Sequence, residues 1–177
     1  MSQHIPPITP YLAVSNAHAA IDFYKKALGA EQVGEAHTMP NTDKIMHVRL
    51  MVNGALIMLA DDLSQIMNMK SETPEALGGS PITLALQVDN VQPLWDRAIA
   101  AGGKVIMPLA DQFWGDRYGM FVDPFGHKWS MSQTLKQMTD EEMKQAAADM
   151  MKSKGALRAA LATDGDRGTT RPGTLEV

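Results

Sequence analysis

Chemistry in this chain must come from a short list of side chains. It has five histidines and no cysteine, which excludes thiol nucleophiles, disulfides, zinc–thiolate sites and iron–sulfur clusters together. The histidines are His4, His18, His37, His47 and His127. None falls in an H-x-H or H-E-x-x-H spacing, so there is no short metal motif. G-x-S-x-G, G-x-G-x-x-G and G-x-x-x-x-G-K are also missing, so neither a hydrolase elbow nor a phosphate cradle is signalled. His4, His18, His37 and His127 read as solvated or structural. His47 stands apart. In the run 45–52, Met46, Val48, Leu50 and Val52 share one parity and are expected under helices, while His47, Arg49 and Met51 share the other. A His–Arg pair in a hollow would hold a carboxylate or phosphate, Arg through its paired donors; on a wet strand edge it would do nothing.

Two further groups carry chemical potential. Trp114, Arg117 and Tyr118 precede a strand; the aromatics could stack on a flat ligand and Arg117 could meet its anion, or the loop could simply pack with Asp116 and Arg117 as an ion pair. Asp61-Asp62 are adjacent carboxylates, suited to acid–base work or, more simply, to a solvated strand end.

The elements that position these residues repeat. Sliding the chain by 74 places lays 8–29 over 82–103 and matches Ile8/Ile82, Thr9/Thr83, Leu12/Leu86, Val14/Val88, Asn16/Asn90, Asp22/Asp96, Ala27/Ala101 and Gly29/Gly103, eight identities in 22 ungapped positions. Each copy reads as strand, cap, helix and glycine stop. The first has strand Ile8–Val14, cap Ser15-Asn16, the stripe Ala17, Ala20, Ile21, Tyr24, Leu28, and Gly29. The second has strand 82–88, cap Asp89 or Asn90, the stripe Val91, Leu94, Trp95, Ala98, Ile99, and Gly102-Gly103, with Pro93 tolerated in the first turn. Strands follow in each copy: 31–36, 45–52 and 55–60, then 104–107, 119–122 and 127–132. Asn53-Gly54 signals a two-residue hairpin and Asp123-Pro124-Phe125-Gly126 a type I turn. Each half is therefore β-α-β-β-β.

The predicted organisation is a domain over 1–134, with repeat one 8–62, a mobile linker 63–80 and repeat two 81–134. A helical extension over 135–162 and a flexible tail over 163–177 follow. Thr139 and Glu142 make a capping box, and Met143, Ala146, Ala147, Met150 and Met151 mark the apolar face of the helix, a surface for a partner subunit.

The whole chain has 177 residues with Lys+Arg 16 against Asp+Glu 20. That mildly acidic balance speaks against nucleic acid as a partner. No apolar run reaches the roughly 18–20 residues of a membrane span, and the first residues lack the pattern of a signal peptide, so the expected compartment is cytoplasmic.

The doubled plan, together with TPYLAV (9–14), AIDFYKKALGAE (20–31), LIMLADD (56–62) and WGDRYGMFVDPFGHKW (114–129), resembles the vicinal-oxygen-chelate superfamily of glyoxalases, bleomycin-resistance proteins and extradiol dioxygenases, and within it the PhnB-like branch. The resemblance implies an α+β fold: paired βαβββ repeats forming a curved, incomplete-barrel sheet, plus the C-terminal helix. It also implies a small-molecule ligand in the hollow and a homodimer. The superfamily's metal positions, carried over, fall on Thr9, Met58, Thr83 and Ser130. A thioether and three hydroxyls are poor ligands for a hard or borderline divalent ion. The expectation is thus a binding protein without metal or other cofactor, its cavity lined by Thr9, His47, Arg49, Met58, Thr83, Trp114, Tyr118 and Ser130. The alternative is a metal-dependent lyase, isomerase or dioxygenase with displaced ligands such as His47.

Overall fold

The structure, a computed structural model, describes residues 6–164, with side chains described as far as Lys154. His4 and the end of the expected tail lie outside the described residues. The elements run β1 (Tyr11–Val14), α1 (Ala17–Leu28), β2 (Glu31–Gln32), β3 (His37–Thr38), β4 (Ile45–Val52), β5 (Ala55–Asp61), α2 (Ser64–Met67), β6 (Thr83–Gln87), α3 (Val91–Ala100), β7 (Lys104–Asp111), β8 (Asp116–Val122), β9 (Lys128–Thr134) and α4 (Asp140–Asp164).

Two curved, unclosed sheets result, ordered β1-β5-β4-β2, with β3 also on β4, and β6-β9-β8-β7. In each half the first strand lies parallel to the last, and a helix makes the crossover. The doubled β-α-β-β-β plan therefore holds, with one strand of the first half split in two.

Local chemistry explains the boundaries. Asn16 Oδ1 accepts the Ala19 N–H at 3.0 Å and starts α1. Gly29, at φ +67°, ends it with its N–H on the Lys25 carbonyl. Asn53 (φ 46°) and Gly54 (φ 80°) turn the β4–β5 hairpin as expected. The cap of α3 differs. Asn90 makes no side-chain cap, and the Val91 N–H goes instead to Gln133 Oε1 at 3.2 Å.

Other departures have plain causes. The first strand begins at Tyr11, since Pro10 has no N–H for the ladder, although its carbonyl accepts from Met58 at 2.9 Å. The expected strand 31–36 is broken at Gly34 (φ +76°) into β2 and β3, both paired to β4. A register irregularity between His37 and Thr38 swaps parity at the start of β4, so Ile45 is buried and Met46 is 38% exposed. The linker is anchored: Ser80 donates to the Ile82 carbonyl at 2.7 Å, Thr73 is buried, and Pro74 lies against Gly126.

One compact unit spans the chain to Asp111 together with Arg117–Thr134. Its core joins both helices to the inner faces of both sheets, through Leu12, Tyr24, Leu59, Trp95, Phe121 and Trp129 among others. Gly119 admits the Trp95 ring, which an added Cβ would meet at 2.7 Å. A second unit joins Gln112–Asp116 to the segment from Leu135 onward. There Gly115 accepts from Leu135 and Lys136 at 2.9 Å. The capping box forms: Glu142 accepts the Thr139 N–H at 2.8 Å, and Thr139 Oγ1 accepts the Glu142 N–H at 3.2 Å.

Candidate functional site

Each sheet turns one face to the helices, and the candidate residues of its strands lie on the other. On the first sheet the register sets Tyr11 beside Met58 and Met58 beside Arg49, a row across β1, β5 and β4. Two residues along β4, His47 faces His37 of β3, the rings 6.1 Å apart and 22° from parallel. Paired strand residues point the same way, so these groups share a face. The opposite face buries Val48, Leu50, Val52, Ile57 and Leu59.

Tyr11 fixes the state of His47. The Tyr11 hydroxyl donates its one proton to the Met46 carbonyl at 2.9 Å and lies 3.2 Å from His47 Nδ1. With that proton committed, the hydroxyl can only accept, so Nδ1 carries hydrogen and Nε2 presents its lone pair. Burial, then the nearby His37 and Arg49, lower the His47 pKa below its ordinary value. Burial also raises that of Tyr11. Arg49 is half-buried and makes no ion pair among the described residues. Its guanidinium lies over Gly34, where a Cβ would come within 3.1 Å of Nη2.

On the second sheet Ala85 pairs with Ser130, Thr83 with Lys128 and Gln87 with Ser132. This face is polar and uncharged along β6. Ser132 donates to Gln87 Oε1, and Gln87 Nε2 donates to Thr134 at 3.1 Å. Tyr118 sits on β8 opposite Ala110.

The structure thus places the candidate residues as follows. Arg49 and Met58 are cross-strand neighbours, with His47 on the same face. Thr9 precedes β1, its hydroxyl on the Pro6 carbonyl at 3.2 Å, and the residue beside Met58 is Tyr11. Thr83 starts β6, and the residue beside Ser130 is Ala85. Trp114 belongs to the second unit, edge-on to Phe113 at 5.0 Å. Arg117 pairs with Asp111 at 2.6 Å rather than with Asp116.

Sequence reasoning missed Tyr11 and His37. Tyr11 shares parity with Thr9, and His37 and His47 flank Thr42 at equal distances, so both were within reach of a register argument. Two presumed bystanders are built in. Asp61 is buried, not solvated; it accepts the N–H groups of Ala17 at 3.0 Å and Ile45 at 2.7 Å, and Lys44 stands 3.5 Å away. His127 is buried, its Nε2 bonded to the Ala13 carbonyl at 3.1 Å.

Two clefts flank Tyr11. One of about 270 Å³ lies between β1, β6 and the linker, with Leu12, Leu77, Ile82 and His127 in its walls. Another of about 330 Å³ runs from Tyr11 and Ala60 to Asp62, Lys70 and Glu72. Among the described residues, no group of three or more His, Asp and Glu is placed to hold a metal ion, and no helix is long and apolar enough to cross a membrane.

A repeated β-α-β-β-β unit with a parallel outer pair in each half defines the class of protein. The family model of the glyoxalase/bleomycin resistance protein/dioxygenase superfamily matches residues 4–131, and the chain belongs to that superfamily. It is 44% identical over 142 residues to an uncharacterised protein of Mycobacterium tuberculosis strain H37Rv, covering 80% of this chain and 82% of the other. Among solved structures, protein PA1353 of Pseudomonas aeruginosa is 29% identical with a TM-score of 0.55, over 72% of this chain and 96% of that one. The fosfomycin resistance protein FosX of Listeria monocytogenes has a TM-score of 0.53 at 13% identity, over 78% of this chain and 97% of its own, a likeness of fold.

Proposed function

We propose that the protein binds a drug-like or aromatic metabolite against the sheet faces turned from the helices, without a divalent metal. What supports this reading is the donor set around Met58 and Ser130, two of the positions that the resemblance assigns to the superfamily's metal. Met58 is flanked by Tyr11 and Arg49, and Ser130 by Ala85 and the strand's own hydroxyls. A thioether beside a guanidinium repels a cation and offers it no anionic oxygen, so these residues do not fit the metal. They do suit an organic ligand: Tyr11, 53% exposed, gives a ring to stack on, and Met58 an adaptable apolar contact. Thr9, Thr83 and Tyr118 belong to the proposed lining as further contacts. A homodimer in the cytoplasm, of the PhnB-like branch, completes the proposal.

The second reading, metal-dependent lyase, isomerase or dioxygenase chemistry at His47, draws on the lone pair that Tyr11 leaves at Nε2. The neighbouring Arg49 and His37 favour the first reading. Elemental analysis of the purified full chain, with and without added Mn, Fe, Ni and Zn, separates the two. The proposal expects no stoichiometric metal, and equal metal content in His47→Ala. A metal bound one to one in the wild type and lost in that variant overturns it.

A further inference from the structure

We infer that His37, His47 and Arg49 together form a site for an oxyanion group, a carboxylate or a phosphate, carried by the bound molecule. This deepens the binding reading above and rests on it.

Three basic side chains share one sheet face, and no ion pair joins any of them to a carboxylate among the described residues. His37 and His47 are opposite each other across β3 and β4, and Arg49 follows two residues on. The segment between β2 and β3 supplies the exposed Glu35, next to Gly34, and no ion pair joins it to Arg49 or His37 among the described residues. β1 supplies Tyr11, a neutral phenol bonded to Met46 and His47. β5 supplies Met58 and Ala60, both uncharged. β2 supplies Glu31, opposite Met51 on the far side of Arg49, and no ion pair joins it to Arg49 among the described residues. The end of repeat one supplies Asp62, and the linker Lys70 and Glu72, to the adjoining cleft, where the Ser64 N–H already bonds Asp62 at 3.0 Å.

Burial, then the two basic neighbours His37 and Arg49, favour the neutral form of His47. An anion reverses that balance. Guanidinium offers paired N–H donors to two oxygens, and His47, protonated at Nε2, becomes a third donor whose other nitrogen is already seated on Tyr11. Gly34 keeps the guanidinium's position open. Binding therefore takes up a proton: the anion raises the His47 pKa, and affinity strengthens as pH falls. If the bound anion raises that pKa by one unit, affinity gains about tenfold between the high and low sides of the window.

The test is an NMR titration of the histidine rings in the full chain, pH 5 to 8.5. It is run at constant ionic strength with sodium phosphate, with sodium benzoate, and with neutral benzyl alcohol. The expected result is that phosphate or benzoate raises the pKa of His47 and moves the ring resonances of His37, while those of His18 stay put. The shift should vanish in Arg49→Met, which keeps the aliphatic stem, and weaken in His37→Gln; unchanged far-UV CD of both variants shows that they fold. Whichever of the two anions acts identifies the group recognised. If His18 moves in step, the effect is general screening and the inference is overturned. If neither anion shifts His47 while benzyl alcohol still moves the Met58 methyl resonance, the anion site falls and the binding face stands. If none of the three perturbs this face, both fall.

Discussion

Replacing Asp123 should unsettle the fold more than any exposed carboxylate, because its side chain is the acceptor on which the two halves agree. It is 3% exposed and receives four hydrogen bonds: Tyr24 Oη at 2.7 Å, Trp129 Nε1 at 3.0 Å, and the N–H groups of Phe125 and His127 at 2.9 Å each. Tyr24 comes from the first repeat and the rest from the second. In Asp123→Ala the Tyr24 hydroxyl and the Trp129 indole N–H lose their acceptor inside the core, where their residues are 0% and 2% exposed. A buried polar group left unpaired costs about 1–3 kcal/mol. Two such groups, plus a loosened turn, put the loss at about 4 kcal/mol, a large part of the roughly 5–15 kcal/mol that a domain has in total. Asp123→Asn should cost about 2 kcal/mol, since its carbonyl can still serve the turn while its NH₂ meets a donor at Trp129. Tyr24→Phe removes one partner, so the double variant Tyr24→Phe/Asp123→Asn should cost less than the sum of the singles. Urea unfolding followed by far-UV CD and tryptophan fluorescence measures each term. A value for Asp123→Asn within about 0.5 kcal/mol of wild type, the range of an ordinary surface change, would refute the claim that this carboxylate ties the repeats together.

Gly119→Ala should destabilise by about 1–3 kcal/mol through overpacking, read by the same urea midpoints, because the new methyl meets Trp95 at 2.7 Å and the Leu109 Cα at 3.0 Å. Stability should fall at alkaline pH. Burial and Asp123 push the Tyr24 phenol well above its usual 10.0, so its contribution is complete below that value and is lost as pH climbs toward the folded value; Tyr24→Phe should flatten this limb of a Tm-against-pH curve. At the other end, Lys136 and the Thr139 N–H hold the Glu142 carboxyl below its usual 4.5. The start of α4 is therefore supported above that value and released as pH falls through the lower one, and the loss of helical CD signal should disappear in Glu142→Ala.

The repeat was legible because it is written in residues with unambiguous local jobs. Asn16 can cap and does; Gly29 can turn left-handed and does; Asn53-Gly54 has one good use between two apolar strands. These signals need no knowledge of what the strands touch. The site was legible only as far as parity carries. His47 and Arg49 fall on the face turned from the core because alternation along β4 decides it, and the same rule failed one residue before His47, at Met46, where the irregularity opposite Thr38 shifts the count by one. What alternation cannot supply is the neighbour across the ladder. Thr9 and Tyr11 share a face, and only the parallel register of β1 with β5 decides that Tyr11 stands next to Met58. That register depends on Pro10, which gives its carbonyl to Met58 but no N–H to the ladder. Trp114 was grouped with Tyr118 because they are close in sequence, yet the chain leaves the first unit at Gln112 and re-enters it at Arg117. His37 follows the same logic from the opposite direction: read alone it is an exposed histidine near a loop, and it gains a chemical role only once β3 is laid against β4 and its ring meets that of His47. A charge cluster assembled across strands has no signature in either strand, so the basic face of this protein had to be found from register.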